Sequence, residues 1–159
     1  MGHVVIMCGS PADDKHAQAI ASAAHDLGLT TRIRISSAHR TPEHALAILR
    51  EVEAAEEPTV LITVAGRSNA LSGFADPQVT VPVIACPPPS EQTGLDIWSS
   101  LRMPAGVAPV VVLEPANAAL AAAKMLGLAD PALRSRIAST QARARARVLD
   151  ADALSTGPS

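Results

Sequence analysis

Two kinds of apolar pattern alternate along the chain. Short, nearly unbroken apolar runs occur at "HVVIMCGS" (3–10), "TVLITVAG" (59–66), "PVIACPPP" (82–89) and "APVVVLEP" (108–115). Their length suits strands buried on both faces of a parallel sheet, where no polar alternation is needed. "TTRIRI" (30–35) is β-rich and reads as one more strand. Between these runs the apolar positions recur at helical spacing, in "DDKHAQAIASAAHDLGL" (13–29), "PEHALAILREVEAA" (42–55), "NAALAAAKMLGL" (117–128) and "DPALRSRIASTQARARARVLD" (130–150). The first helix has acidic residues in its opening turn and Gly28 as its stop. Pro42 suits the first position of the second, because the missing N–H of proline costs nothing there.

Strands alternating with helices predict a three-layer α/β/α sandwich with a central parallel sheet, flavodoxin-like in plan. Residues 1–150 are expected to form a single domain. Residues 151–159, ending in "ALSTGPS", are expected to be a disordered tail. No repeat or linker divides the 159 residues.

Composition narrows the function classes. Apolar residues make up 48% of the chain but aromatics only 1%, so the core must be built mainly from Ala and Val, which let elements approach closely. A net charge of −2 argues against a nucleic-acid partner, which would favour a strong basic bias. No apolar run reaches the length of a membrane span, and the charged "DDKH" arrives too early for a secretion signal. Cys8 and Cys86 lie in apolar runs without metal-ligand spacing, and read as reduced core thiols of a cytoplasmic protein.

In open parallel sheets the ligand sits beyond the carboxyl ends of the strands, so the loops at those ends carry the candidate chemistry. They read "CGSPADD", "SSAHRTP", "AGRSNALSG", "CPPPSEQTG" and "EPANAA", and are expected to converge on one edge as one site. The first loop offers a tight turn at Gly9, the Ser10 hydroxyl, and Asp13 at a helix start. Free N–H groups there suit a phosphate, and a carboxylate suits sugar hydroxyls. Asp13 could equally serve only as a helix cap. Ser37 and Arg40 add donors for phosphate oxygens. The Gly66–Asn69 stretch, with Ser68, lets backbone amides come close to a ligand.

Of the five histidines, His3 is terminal and His16, His25 and His44 fall on helices, where surface or packing roles are the default. His39 differs, because it lies at a strand end among hydroxyls and a guanidinium. An imidazole beside a fixed cation is disfavoured as a second cation and is suited to accepting a proton. No nucleophile elbow and no metal-ligand spacing is apparent. The residues alone therefore reach a phosphorylated, sugar-like ligand and one acid/base histidine, with no cofactor.

Taken together, "GS-x-x-D" after the first strand, "SAHRTP" after the second, "AGRSNALSG" after the third, and "GLDIWSSLRMPAGV…NAALAA" beyond them resemble the PurE family of purine biosynthesis. The likeness runs from about Val4 to Leu128. That family has a mutase branch, whose third loop carries a second histidine, and a carboxylase branch with "AGRSN" in that loop. Here residues 65–69 read "AGRSN", so the resemblance implies a 5-aminoimidazole ribonucleotide carboxylase using carbon dioxide, without biotin, metal or ATP. It further implies that Ser10, Ser37 and Arg40 hold phosphate and Asp13 holds ribose. The Gly66–Asn69 loop would close on base and carboxylate while His39 moves the C4 proton. A homo-octamer is implied as well, with small-residue helices such as "NAALAAAKML" at subunit contacts.

Two positions depart from the pattern. Ala12 stands where the family commonly has a second serine, and Arg40 stands where the carboxylase branch often has lysine. Arginine can clamp phosphate bidentately, but it is not equivalent to lysine. The mutase, and a non-catalytic nucleotide-binding module in which His39 only donates to phosphate, are the competing readings.

Overall fold

The computed structural model describes residues 2–68, 70–89 and 93–155. Strand β1 (His3–Cys8) lies between β2 (Thr30–Ile35) and β3 (Thr59–Val64). Beyond β3 follow β4 (Val83–Ala85) and β5 (Val110–Val111), giving the order β2-β1-β3-β4-β5 with every pairing parallel. All six residues of β3 are buried, as are the last five of β1, which explains their unbroken apolar sequences. β2 is an edge strand and carries the polar alternation of an edge. The three-layer α/β/α sandwich expected from the sequence is therefore the observed fold.

Helices α1 (Asp14–Asp26), α6 (Pro115–Leu126) and α7 (Pro131–Ser155) cover one face of the sheet. Helices α2 (Pro42–Glu53) and α3 (Ala70–Ala75) cover the other. Alternate strand residues supply the two faces: Val4, Ile6 and Cys8 pack towards α1, and Val5 and Met7 towards α2. Gly28 ends α1 in the left-handed region at φ 78°, with Gly28 N–H on His25 O (2.8 Å) and Leu29 N–H on Ala24 O (3.0 Å). That pair of bonds is a Schellman closure, which glycine makes without a Cβ penalty.

Three differences from the sequence reading have physical causes. Strands β4 and β5 are shorter than their apolar runs, because Pro82 and Pro87–Pro89 flank the first and Pro109 precedes the second, and proline cannot donate to a ladder. The small-residue face of α6 is not left for a subunit contact. Ala118, Ala119, Ala122, Ala123 and Leu126 are buried within the chain, in a core shared with α1. The disordered tail expected from residue 151 is corrected as far as Ser155, because α7 continues through it. Ala, Arg and Leu dominate α7 and are strong helix formers, so the helix persists although only Leu133 and Ile137 of its 25 residues are buried. Residues 156–159 lie outside the described residues.

Leu133 thus fastens α7 to the core. Leu133→Ala should lower stability by about 2–5 kcal/mol, the usual range for a buried leucine truncated to a cavity. Denaturant unfolding with an unchanged midpoint would show that α7 is held elsewhere.

Candidate active site

The order β2-β1-β3 reverses direction at β1, and the loops after these three strands open a cavity of about 710 Å³ above their carboxyl ends. Gly9 to Asp13, Ser37 to Arg40, and Ala65 to Ser68 with Ala70 and Leu71 line it. Six of the seven expected binding residues, Ser10, Asp13, Ser37, Arg40, Gly66 and Ser68, are therefore brought together with the expected acid/base residue, His39. Asn69 lies outside the described residues. The loops after β4 and β5 contribute no described residue to the lining, so the convergence involves three loops and not five.

The first loop starts tightly. Gly9 N–H still donates to Val64 O (2.8 Å), and a Cβ on Gly9 would lie 3.1 Å from Ala65 Cβ. Glycine is needed here for close approach, since its φ is not in the left-handed region. Ser10 then folds onto a 3-10 turn, Pro11–Asp13. Its N–H and Oγ donate to Asp13 Oδ2 at 2.9 and 3.1 Å, and Asp13 N–H donates to Ser10 O at 3.2 Å. Asp13 is thus a cap through one oxygen. Among the described residues only Ser10 donates to that carboxylate, and it does so through Oδ2, while Asp13 lines the cavity. The two readings of Asp13 are compatible.

The second loop is built around Thr41, which sequence reasoning did not select. Thr41 Oγ1 accepts from Ser37 N–H (2.9 Å), donates to Ser37 O (3.3 Å) and pairs with the buried Ser36 Oγ (3.0 Å). Ser37 Oγ accepts from Arg40 N–H at 3.2 Å, which leaves the Ser37 proton for an incoming acceptor. His39 and Arg40 are held at the exposed crest of this turn. The signal available beforehand was a threonine directly before a helix-starting proline, a usual N-cap position.

The third loop carries Arg67 in the left-handed region, at φ 55°. A non-glycine residue there costs on the order of 1–3 kcal/mol, and such strain collects at ligand sites. Ser99 Oγ, from α5 (Trp98–Leu101), reaches Arg67 O at 3.5 Å and donates to Asp96 O at 2.7 Å, the last residue of α4 (Thr93–Asp96). Arg67 was read only as part of a flexible loop, because nothing in the sequence marks a left-handed arginine.

The cavity lining therefore holds two guanidiniums, one carboxylate, one imidazole and several hydroxyls. Among the described residues no group of three or more His, Cys, Asp or Glu side chains is placed to hold a metal ion. A family model described as "AIR carboxylase" matches residues 3–147. The chain belongs to the AIR carboxylase family. It is 47% identical over 150 residues to the phosphoribosylaminoimidazole carboxylase of Treponema denticola, covering 94% of each chain. It is 49% identical over 149 residues to the phosphoribosylaminoimidazole carboxylase of Archaeoglobus fulgidus, covering 93% of this chain and 82% of that one. The crystal structure of Treponema denticola PurE superposes with a TM-score of 0.96 at 45% identity, over 99% of this chain and all of the other. For an AIR carboxylase fold, the cavity thus lies where open parallel sheets bind their ligands.

In this AIR carboxylase Cys8, which ends β1, and Cys86, which follows β4, are both free and buried. Burial pushes each thiol up to about 12, helped by Asp13 and Asp14 at Cys8 and by Glu114 at Cys86. Both stay protonated well above neutral pH, and the thiolate is the reactive form. Iodoacetamide at pH 8 should leave both unmodified in the folded protein and label both in denaturant, as read by intact mass. Rapid native labelling of either would contradict this burial.

Proposed function

We propose that the cavity binds 5-aminoimidazole ribonucleotide and that the protein carboxylates it at C4 with carbon dioxide. The observation that carries this reading is the meeting of Ser10, Asp13, Ser37, His39, Arg40, Gly66 and Ser68 in one cavity at the sheet's switch point. The names of the two relatives, both carboxylases, support the same reaction. Phosphate would rest on Arg40, the free Ser37 proton and Ser10, and ribose hydroxyls on Asp13 Oδ1. The Gly66–Asn69 loop would close over the base and the new carboxylate.

The chemistry then asks little of the protein. The exocyclic amine of the aminoimidazole makes C4 enamine-like, so its electron pair attacks carbon dioxide directly and one C–C bond forms. C4 now carries both hydrogen and carboxylate, and the ring has lost aromaticity. His39 takes the C4 proton, the C–H pair returns to the ring, and the proton leaves to solvent. Carboxylated ribonucleotide and one proton balance the substrate and carbon dioxide. Positioning supplies the rest, by holding a dilute gas against a fixed carbon.

Arg40 is the one residue that favours the mutase, which moves a carboxylate from N5 to C4. The third loop, with Arg67 and Ser68 and no histidine, favours the carboxylase. Purified protein given aminoimidazole ribonucleotide and bicarbonate, without ATP, should form the C4-carboxylated product. Activity only with the N5-carboxylated ribonucleotide would assign the mutase. In the same assay His39→Asn should retain ribonucleotide binding and lose about two to four orders of magnitude in turnover, the usual contribution of one positioned acid/base group. Decarboxylation of the product must begin by protonating C4, so it should fall in the same proportion. A variant that decarboxylates at the wild-type rate would remove His39 from the proton transfer.

We further infer that the 16.3 kDa chain works in the cytoplasm as a homo-octamer. No described helix is long and apolar enough to cross a membrane. Leu95, Trp98 and Leu101 of α4 and α5 are 77%, 57% and 53% exposed in the single chain, a placement that association would relieve. Sedimentation at micromolar concentration should give eight times the chain mass; a monomer would refute it.

A further inference from the structure

His16 follows Asp13 by three residues, on the first turn of α1, and lies outside the cavity lining. Its Nε2 stands 3.3 Å from the Sγ of Cys86, the residue just beyond β4. The Cys86 thiol in turn donates to Leu113 O, 3.6 Å away at the far side of β5. That contact uses the only proton Cys86 has, and burial keeps the thiol protonated. The sulfur can therefore only accept from His16, which makes Nε2 the protonated nitrogen of the ring. Burial also lowers the His16 pKa from its ordinary value, against the pull of Glu114, Asp13 and a hydrogen bond to the Cys86 backbone. A neutral Nε2–H imidazole results.

Among the described residues the Ser10 and Asp13 side chains bond only within their own turn, which runs directly into α1. Gly9 N–H on Val64 O ties the entry of the turn to β3. The His16–Cys86 contact ties its exit to β4, two strands away from β1. We propose that His16 is a positioning residue: by donating Nε2–H to Cys86 it fixes the depth at which Ser10 and Asp13 meet the ligand. The charged groups facing it are Asp13 from the turn and Glu114 before α6, with the Cys86 thiol beyond β4.

The inference rests on the assignment of the cavity to the ribonucleotide, because its first readout is affinity for that ligand. His16→Leu should raise Kd and KM for 5-aminoimidazole ribonucleotide about tenfold, the scale of one hydrogen bond, and change kcat much less. His16→Gln should restore affinity, since its amide Nε2–H can reach the same sulfur. Cys86→Ala should match His16→Leu, and combining the two should add little further loss. Wild-type affinity in His16→Leu, no rescue by His16→Gln, or additive losses would overturn the proposal. Should His16→Leu fail to fold, Cys86→Ala and His16→Gln still decide it. A wild-type protein that binds no ribonucleotide would overturn the substrate assignment instead. The positioning role then stands or falls on nuclear magnetic resonance of the ligand-free protein. The His16 ring should show Nε2–H, and Cys86→Ala should move the amide signals of Ser10 and Asp13. A ring protonated at Nδ1 alone, or unmoved amides, would overturn it.

Discussion

The cavity depends on how closely the loops after β1 and β3 can approach each other. Gly9 and Ala65 meet there, and a single added methyl on Gly9 would already press on Ala65 Cβ at 3.1 Å. Real side chains seldom tolerate that spacing, so one partner must be glycine and the other small. With the floor made of backbone and one methyl group, the polar side chains of both loops can stand around it. β2 on the other side of β1 then delivers its own loop to the same rim. The site is a consequence of strand order, and its floor is a consequence of the smallest residues.

The same economy runs through the core. Ala17, Ala21 and Ala24 of α1 share a core with Ala118, Ala119, Ala122 and Ala123 of α6. Such short side chains bury little apolar area each, so the helices must lie close for dispersion contacts to accumulate. Close helices make a stiff support for that face of the sheet. On the far face larger residues do the filling, with Ile48, Leu49, Leu61 and Leu71 fully buried.

Much of this was legible because period and burial coincide. The unbroken apolar runs of β1 and β3 could only be two-sided strands, and the Gly, Ser and Asp residues after them could only be strand-end loops. What escaped had no periodic signature. Helices α3, α4 and α5 span one to two turns, too short for a 3.6-residue repeat to declare itself. The alanine face of α6 looks the same in sequence whether it meets a neighbour in the chain or another copy. Thr41 and His16 act through contacts to groups that only the fold brings near: a loop that doubles back, and a cysteine 70 residues away. Helical propensity carried α7 beyond its last buried residue, where a burial argument would have ended it.

The scarcity of aromatic residues has an optical side. The chain has no tyrosine and one tryptophan, Trp98, so its near-ultraviolet emission comes from a single indole. That indole is half-exposed and immediately precedes Ser99, whose hydroxyl touches the carbonyl of Arg67 on the cavity loop. The protein therefore carries a native fluorophore next to a residue that touches the Arg67 loop of the cavity, with no second indole or phenol to obscure it.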